Sequence, residues 1–186
     1  MRVSEEVYPQ AIDALREGRV DFVLGPVASS GLGPEFSVTR LFDVELVVAV
    51  SRDHPRASAR SLATLAAEEW IVTGPASGPG AVVAQLFRKH RLTPPRCAIY
   101  LETIFSAVEM IKHTHLAGLL PAPVAAAAGD AIRAVPIRER CEPLSLCMVI
   151  PTRTMLTPAA RALVSAVRTT SASWSQTNRG QTRRGV

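Results

Sequence analysis

Leu41-Phe42-Asp43-Val44-Glu45-Leu46-Val47-Val48-Ala49-Val50-Ser51-Arg52-Asp53-His54-Pro55 is the stretch whose reading decides the fold. From Val44 to Val50 every residue but Glu45 is apolar, and β-branched valine dominates. A run of that length and type predicts a strand buried on both faces. Asp53-His54-Pro55 closes it, because proline has no amide to extend a ladder. The chain before the strand reads as one βα group and the chain after it as another. Val44 to Val50 is therefore expected to cross between two lobes, with a return crossing at Leu144 to Ile150.

Working outward, Arg2 to Ser4 reads as a short strand. Tyr8, Ala11, Ile12 and Leu15 fall at helical spacing between Val7 and Glu17, and Gly18 stands where a left-handed C-cap would be. Val20 to Leu24 predicts a strand, and residues 27–40 a loop. On the far side, Ser61 is placed to cap a short helix at Leu62 to Glu68. Strands follow at Trp70 to Thr73, Cys97 to Leu101, Leu116 to Leu120 and Ile132 to Ile137. Helices are expected from Pro79 to His90, from Thr103 onward with Ile104, Val108 and Ile111 inward, and at Val124 to Ala128. Thr157-Pro158 opens a last helix that buries Leu163, Val164 and Val167. Alternating strands and helices predict an α/β fold with mainly parallel sheet. Lobe one is expected at 1–46 plus 148–168, lobe two at 47–147, and a disordered basic tail at 169–186.

The chain has 186 residues, 47% of them hydrophobic, enough for a proper aliphatic core. Net charge is +5; Arg179, Arg183 and Arg184 lie in the tail, and removing those three charges leaves +2 for the body. Basicity is thus a weak argument for a DNA-binding surface, and any residual DNA binding is expected from the arginine tail. Cys97, Cys141 and Cys147 have neither metal-type nor redox-type spacing, which suits plain thiols in a reducing cytoplasm. No run of about 18 apolar residues spans a membrane, and no secretory leader is recognisable.

Ligands of open α/β sheets sit beyond the carboxyl ends of strands, which in a two-lobed protein is the interlobe cleft. Thr73-Gly74-Pro75-Ala76-Ser77-Gly78 leaves a strand and enters a helix, so its amides and the Ser77 hydroxyl could hold a carboxylate. Glu102-Thr103-Ile104 is a second such junction, with helix capping as the plainer role for Thr103. Tyr8 and Val27 would approach from the first lobe, with local packing as their alternative. His113 and His115 lack a third ligand, so no metal is assigned. His54 reads as a turn residue, and the paired acids Glu68 and Glu69 as a solvated helix end. No phosphate-loop lysine, dinucleotide fingerprint or Gly-x-Ser-x-Gly elbow is present, so neither cofactor nor enzyme activity is expected.

Several segments together carry a family resemblance. Glu45-Leu46-Val47-Val48-Ala49-Val50 followed by Asp53-His54-Pro55 resembles the inter-lobe strand of LysR-type transcriptional regulators. Leu15-Arg16-Glu17-Gly18, with Asp21 in the apolar strand after it, resembles the same family. So do Ser61-Leu62-Ala63-Thr64-Leu65 before Glu69-Trp70-Ile71-Val72, and Gly118-Leu119-Leu120-Pro121, and Leu156-Thr157-Pro158. The resemblance covers residues 1–168. It implies a two-lobed periplasmic-binding-protein-like (type 2) domain, incomplete at its N-terminus, that senses a small effector without catalysis. Tyr8, Val27, Thr73, Gly74, Ser77, Thr103 and Ile104 are then the expected effector contacts. It also implies DNA binding through an upstream winged helix, a homodimer or homotetramer, and a cytoplasmic location. A solute-binding protein of a transport system is the alternative on the same fold.

Overall fold

A computed structural model describes residues 2–5, 8–27, 32–74, 80–153 and 155–182, with the backbone alone for 175–182. In chain order the elements are α1 (Gln10–Arg16), β1 (Val23–Pro26), β2 (Phe36–Val44), β3 (Leu46–Ser51), a 3-10 turn (Leu62–Leu65), β4 (Trp70–Thr73), α2 (Ala81–Lys89), β5 (Cys97–Leu101), α3 (Ile104–His113), β6 (Ala117–Pro121), α4 (Ala122–Ala127), a 3-10 turn (Gly129–Ala131), β7 (Ile132–Ala134), β8 (Leu144–Pro151) and α5 (Pro158–Thr182). They form two compact units, one of Met1–Asp43 with Ser145–Val186 and one of Val44–Leu144.

In the first unit the sheet order is β1-β8-β2, with β1 antiparallel to β8 and Val23 opposite Val149. Ile12 and Leu15 of α1 pack with Phe36 and Val149, which is the face that the helical spacing predicted. Gly18 follows α1 with φ 71°, a conformation that costs a residue with a Cβ about 1–2 kcal/mol. Three expectations are corrected here. Arg2 to Ser4 has no regular structure, the strand expected from Val20 starts at Val23, and the expected loop already becomes β2 at Phe36.

The tail also differs from expectation: α5 stays helical through Thr182. Thr157 Oγ1 accepts from the Ala160 amide at 3.2 Å and starts the helix. Ala160, Val164 and Ser171 are buried, and Trp174, though 42% exposed, follows one turn on. The Trp174 ring lies 6.1 Å from Phe42. Polar composition hid these anchors, because a few inward positions every three or four residues suffice to hold a helix.

The decisive stretch also breaks differently. Val44 ends β2 in one sheet and Leu46 begins β3 in the other, so the run is two strands and not one. The exposed residue Glu45 marks the change, and its carbonyl accepts from the Ala122 amide at 2.8 Å. β3 is nevertheless buried on both faces. Val48 and Val50 join one cluster with Trp70, Val72, Val83, Leu86 and Phe87, while Ala49 joins another with Ile71, Ala107, Ile111 and Leu120. Alternation along β3 and β4 thus feeds α2 on one face and α3 with α4 on the other.

The five-stranded order is β5-β4-β6-β3-β7. β4 is parallel to β5 and β6, but β3 is antiparallel to β6 and β7. The expectation of mainly parallel sheet is corrected to mixed. β3, between β6 and β7, enters without a preceding crossover helix, so nothing imposes the parallel sense on it.

His54 does more than turn the chain after β3. Its ring is buried, Nδ1 accepts from the Arg56 amide at 2.9 Å, and Nε2 donates to the His115 carbonyl at 3.0 Å. The ring thereby ties the end of β3 to the approach to β6.

Glu139 makes a comparable tie. Oε1 accepts from the Ser61 hydroxyl at 3.0 Å, while Oε2 is buried with no hydrogen-bond partner among the described residues. Burial pushes its carboxyl up, but the amides of Leu62 and Glu139 with the Ser61 hydroxyl outweigh that and hold it below the ordinary range. A depressed folded value means that this stabilisation is complete above the unfolded value, near pH ~4.3. It is lost as pH falls through the folded value. Glu139→Gln is therefore expected to lower the urea midpoint at neutral pH, with the gap to the parent narrowing as pH drops below about 4. A gap that stays constant into strong acid would remove the ionised carboxylate from the account.

Candidate functional site

The site grows from the ends of two parallel strands. Thr73 closes β4 opposite Leu101, which closes β5. The Gly74 amide then donates to the Leu101 carbonyl at 2.7 Å, so the two strand exits lie side by side. Gly74 has φ 84°, a backbone region that glycine occupies without steric cost. Thr73, Gly74, Thr103 and Ile104 are thereby brought to one end of the five-stranded sheet. Ser77 lies outside the described residues. Tyr8 and Val27 belong to the first unit, where both pack against the cluster of Ile12, Leu15, Phe36 and Val149.

Thr103 has an extended backbone and caps α3, its Oγ1 accepting from the Ser106 amide at 3.1 Å. The same oxygen donates its proton to Ser106 Oγ at 2.9 Å. That bond orients Ser106 and leaves the serine proton free for an outside acceptor. The Ala107 amide is taken by the Thr103 carbonyl at 3.2 Å. Among the described residues, the amides of Ile104 and Phe105 have no partner. Two open amides, one hydroxyl proton and the positive end of a ten-residue helix suit an anionic group.

Two residues here were not singled out in the sequence. Ser106 is the third residue after the cap, a spacing that capping motifs use and that could have flagged it. Phe105 is 71% exposed beside the open amides, although an aromatic ring in that stretch reads as core.

Elsewhere the side chains offer little chemistry. His113 and His115 are exposed, and no group of three or more metal-ligating side chains occurs among the described residues. Glu68 pairs with Arg56 and Glu69 with Arg96, so the adjacent acids serve different partners. The three cysteines are free thiols; burial pushes Cys141 up to about 11 and also raises Cys147. Both thiols stay protonated at neutral pH and are poor nucleophiles. Among the described residues no helix is long and apolar enough to cross a membrane.

Comparison with known proteins adds a family to this geometry. Residues 1–172 match the family model described as LysR substrate binding domain. Among solved structures, the effector binding domain of QuiR in complex with shikimate superposes with a TM-score of 0.74 at 18% identity, over 90% of this chain and 79% of that one. The CcmR regulatory domain of Synechocystis PCC6803 in complex with 2-PG gives 0.72 at 17%, over 87% and 78%. The BenM effector binding domain with its effector benzoate gives 0.66 at 20%, over 89% and 75%.

Proposed function

The chain belongs to the LysR substrate-binding-domain family, and from that premise we propose that it senses a small organic anion on behalf of a transcription regulator. The family is regulatory and not typically enzymatic. The observation that carries the reading is the α3 N-terminus, where the amides of Ile104 and Phe105 stand open beside Thr103 and Ser106. In this reading the two units are the lobes of one effector-binding domain, and Thr73, Gly74, Thr103 and Ile104 receive the anion. Tyr8, Val27 and Ser77 keep the contact roles that the resemblance implies. The regulator binds DNA through an upstream winged helix and works in the cytoplasm as a homodimer or homotetramer. The effector acts by binding two arrangements of that assembly with unequal affinity, since a ligand with equal affinity for both shifts nothing.

The experiment is a thermal-shift panel of small carboxylates, with shikimate and benzoate included, against their uncharged amides. A ligand of the native state adds stability by mass action, about 2.7 kcal/mol at a hundred times its Kd. At least one carboxylate is expected to raise the midpoint with saturation, and its amide is not. A panel in which amides and carboxylates act alike would sink the anion reading.

A further inference from the structure

We infer that one corner of the second unit is a docking surface for the phosphate backbone of a nucleic acid. Three segments meet there. The Arg138 amide donates to the Arg60 carbonyl at 3.1 Å. His90 Nε2 lies 3.4 Å from the Arg140 carbonyl, and the Arg91 amide donates to the Arg88 carbonyl at 2.9 Å. Arg60, Arg88, Lys89, Arg91, Arg138 and Arg140 thus ride on adjoining backbone, and all six are exposed.

The neighbouring acids neutralise them only in part, six cations standing against Glu139 and Glu142. Glu142 is taken by Lys89, and Glu139 is turned onto Ser61. Among the described residues these five arginines have no ion pair, a state that Arg52, Arg133 and Arg168 share, so what marks the corner is five such groups on adjoining backbone. Arg91 adds an independent observation. It has φ 58°, at the end of α2, where glycine or asparagine is the usual residue. A side chain held in that conformation is paid for in stability, and such outliers cluster at functional positions.

Guanidinium groups pair with phosphate oxygens through two parallel bonds, and a polyanion that meets unneutralised cations releases counterions. An acidic protein surface would also suit the fork, but stable protein interfaces need apolar anchors at their centre. Among the described residues the exposed large apolar side chains are Val3, Leu24, Tyr100, Phe105, Met155 and Trp174, and none of these lies on the three segments. A family that regulates transcription also works beside DNA. The inference uses that family membership and does not depend on the effector site.

The test is fluorescence anisotropy of a labelled duplex of about 20 base pairs and arbitrary sequence, titrated with the full chain from about 50 to about 200 mM salt. A patch variant carries Arg60→Gln, Arg88→Gln, Arg91→Gln, Arg138→Gln and Arg140→Gln. A tail variant carries Arg179→Gln, Arg183→Gln and Arg184→Gln. The patch variant is expected to bind about tenfold or more weakly at low salt, with a salt slope shallower by roughly 3. The tail variant is expected to stay within about twofold of the parent. Replacing the same five arginines by lysine should keep the slope, because the charge remains. Arg91→Gly alone should raise the thermal midpoint while weakening binding. If circular dichroism finds the fivefold variant unfolded, Arg138→Gln with Arg140→Gln takes its place, with a slope change of roughly 1–2. Unchanged binding by the patch variant, or a loss confined to the tail variant, overturns the inference. So does polyglutamate that competes as well as unlabelled duplex at equal charge, which would make the surface a site for acidic protein.

Discussion

Trp70→Ala is expected to destabilise the second unit by about 3–5 kcal/mol, the range for large-to-small changes at a buried aromatic. Trp70 is fully buried and packs edge-on against Phe87, with ring centroids 5.3 Å apart and planes at 87°. Its Nε1 donates to the Leu65 carbonyl at 3.0 Å, which pins the 3-10 turn to the start of β4. Truncation therefore removes apolar burial, an aromatic pair and a buried hydrogen bond at once. Total stabilities of about 5–15 kcal/mol make that loss a large share of the whole. Trp70→Phe keeps much of the packing and should cost less, chiefly through the lost indole hydrogen bond, since the Leu65 carbonyl still accepts from the Glu68 amide at 3.3 Å. The two tryptophans belong to different units, so Trp174→Phe leaves Trp70 as a fluorescence reporter of the second unit alone. Urea unfolding of the alanine variant is followed by far-ultraviolet circular dichroism instead. A loss below about 1 kcal/mol would mean that the cluster around Trp70 does not organise this unit.

How much of this was legible in the sequence depends on what each element asks of its residues. β4 and β5 ask for short β-branched and aromatic runs with a stop at each end, and both were read to the residue. The Thr103 cap was legible because a threonine before an apolar helical stripe has few other uses there. Tertiary arrangement decided the misses. Whether Val44 to Val50 is one strand or two turns on Glu45 and its bond to the distant Ala122, which no local pattern contains. The sense of β3 against β6 and β7 is equally non-local. In α5 a polar composition outvoted a spaced set of inward residues, and Trp174 finds Phe42 only in the folded chain. The open amides beside Thr103 were foreseeable as a class, since every helix starts with unsatisfied donors. That Thr103 spends its own proton on Ser106 was not, because hydroxyl direction follows from the local geometry.

That hydroxyl chain separates the two roles of the junction. Thr103→Ala removes the cap and is expected to cost about 1 kcal/mol of stability whether or not a ligand is present. It also frees Ser106 from the orientation that Thr103 imposes, so effector binding should weaken by about 0.5–3 kcal/mol, toward the upper end if the anion takes a charge-assisted bond. Thr103→Ser keeps an oxygen at the same place and should preserve both properties. Ser106→Ala is the more discriminating change. The cap uses the Ser106 backbone amide and not its hydroxyl, so stability should move little. Binding should still fall by about 0.5–1.5 kcal/mol, because the outward proton is gone. Calorimetric titration with the carboxylate found by thermal shift gives the binding arm, and urea midpoints without ligand give the stability arm. Were Ser106→Ala to bind like the parent while Thr103→Ala altered only the urea midpoint, Thr103 would be a helix cap and the anion would have to be sought elsewhere.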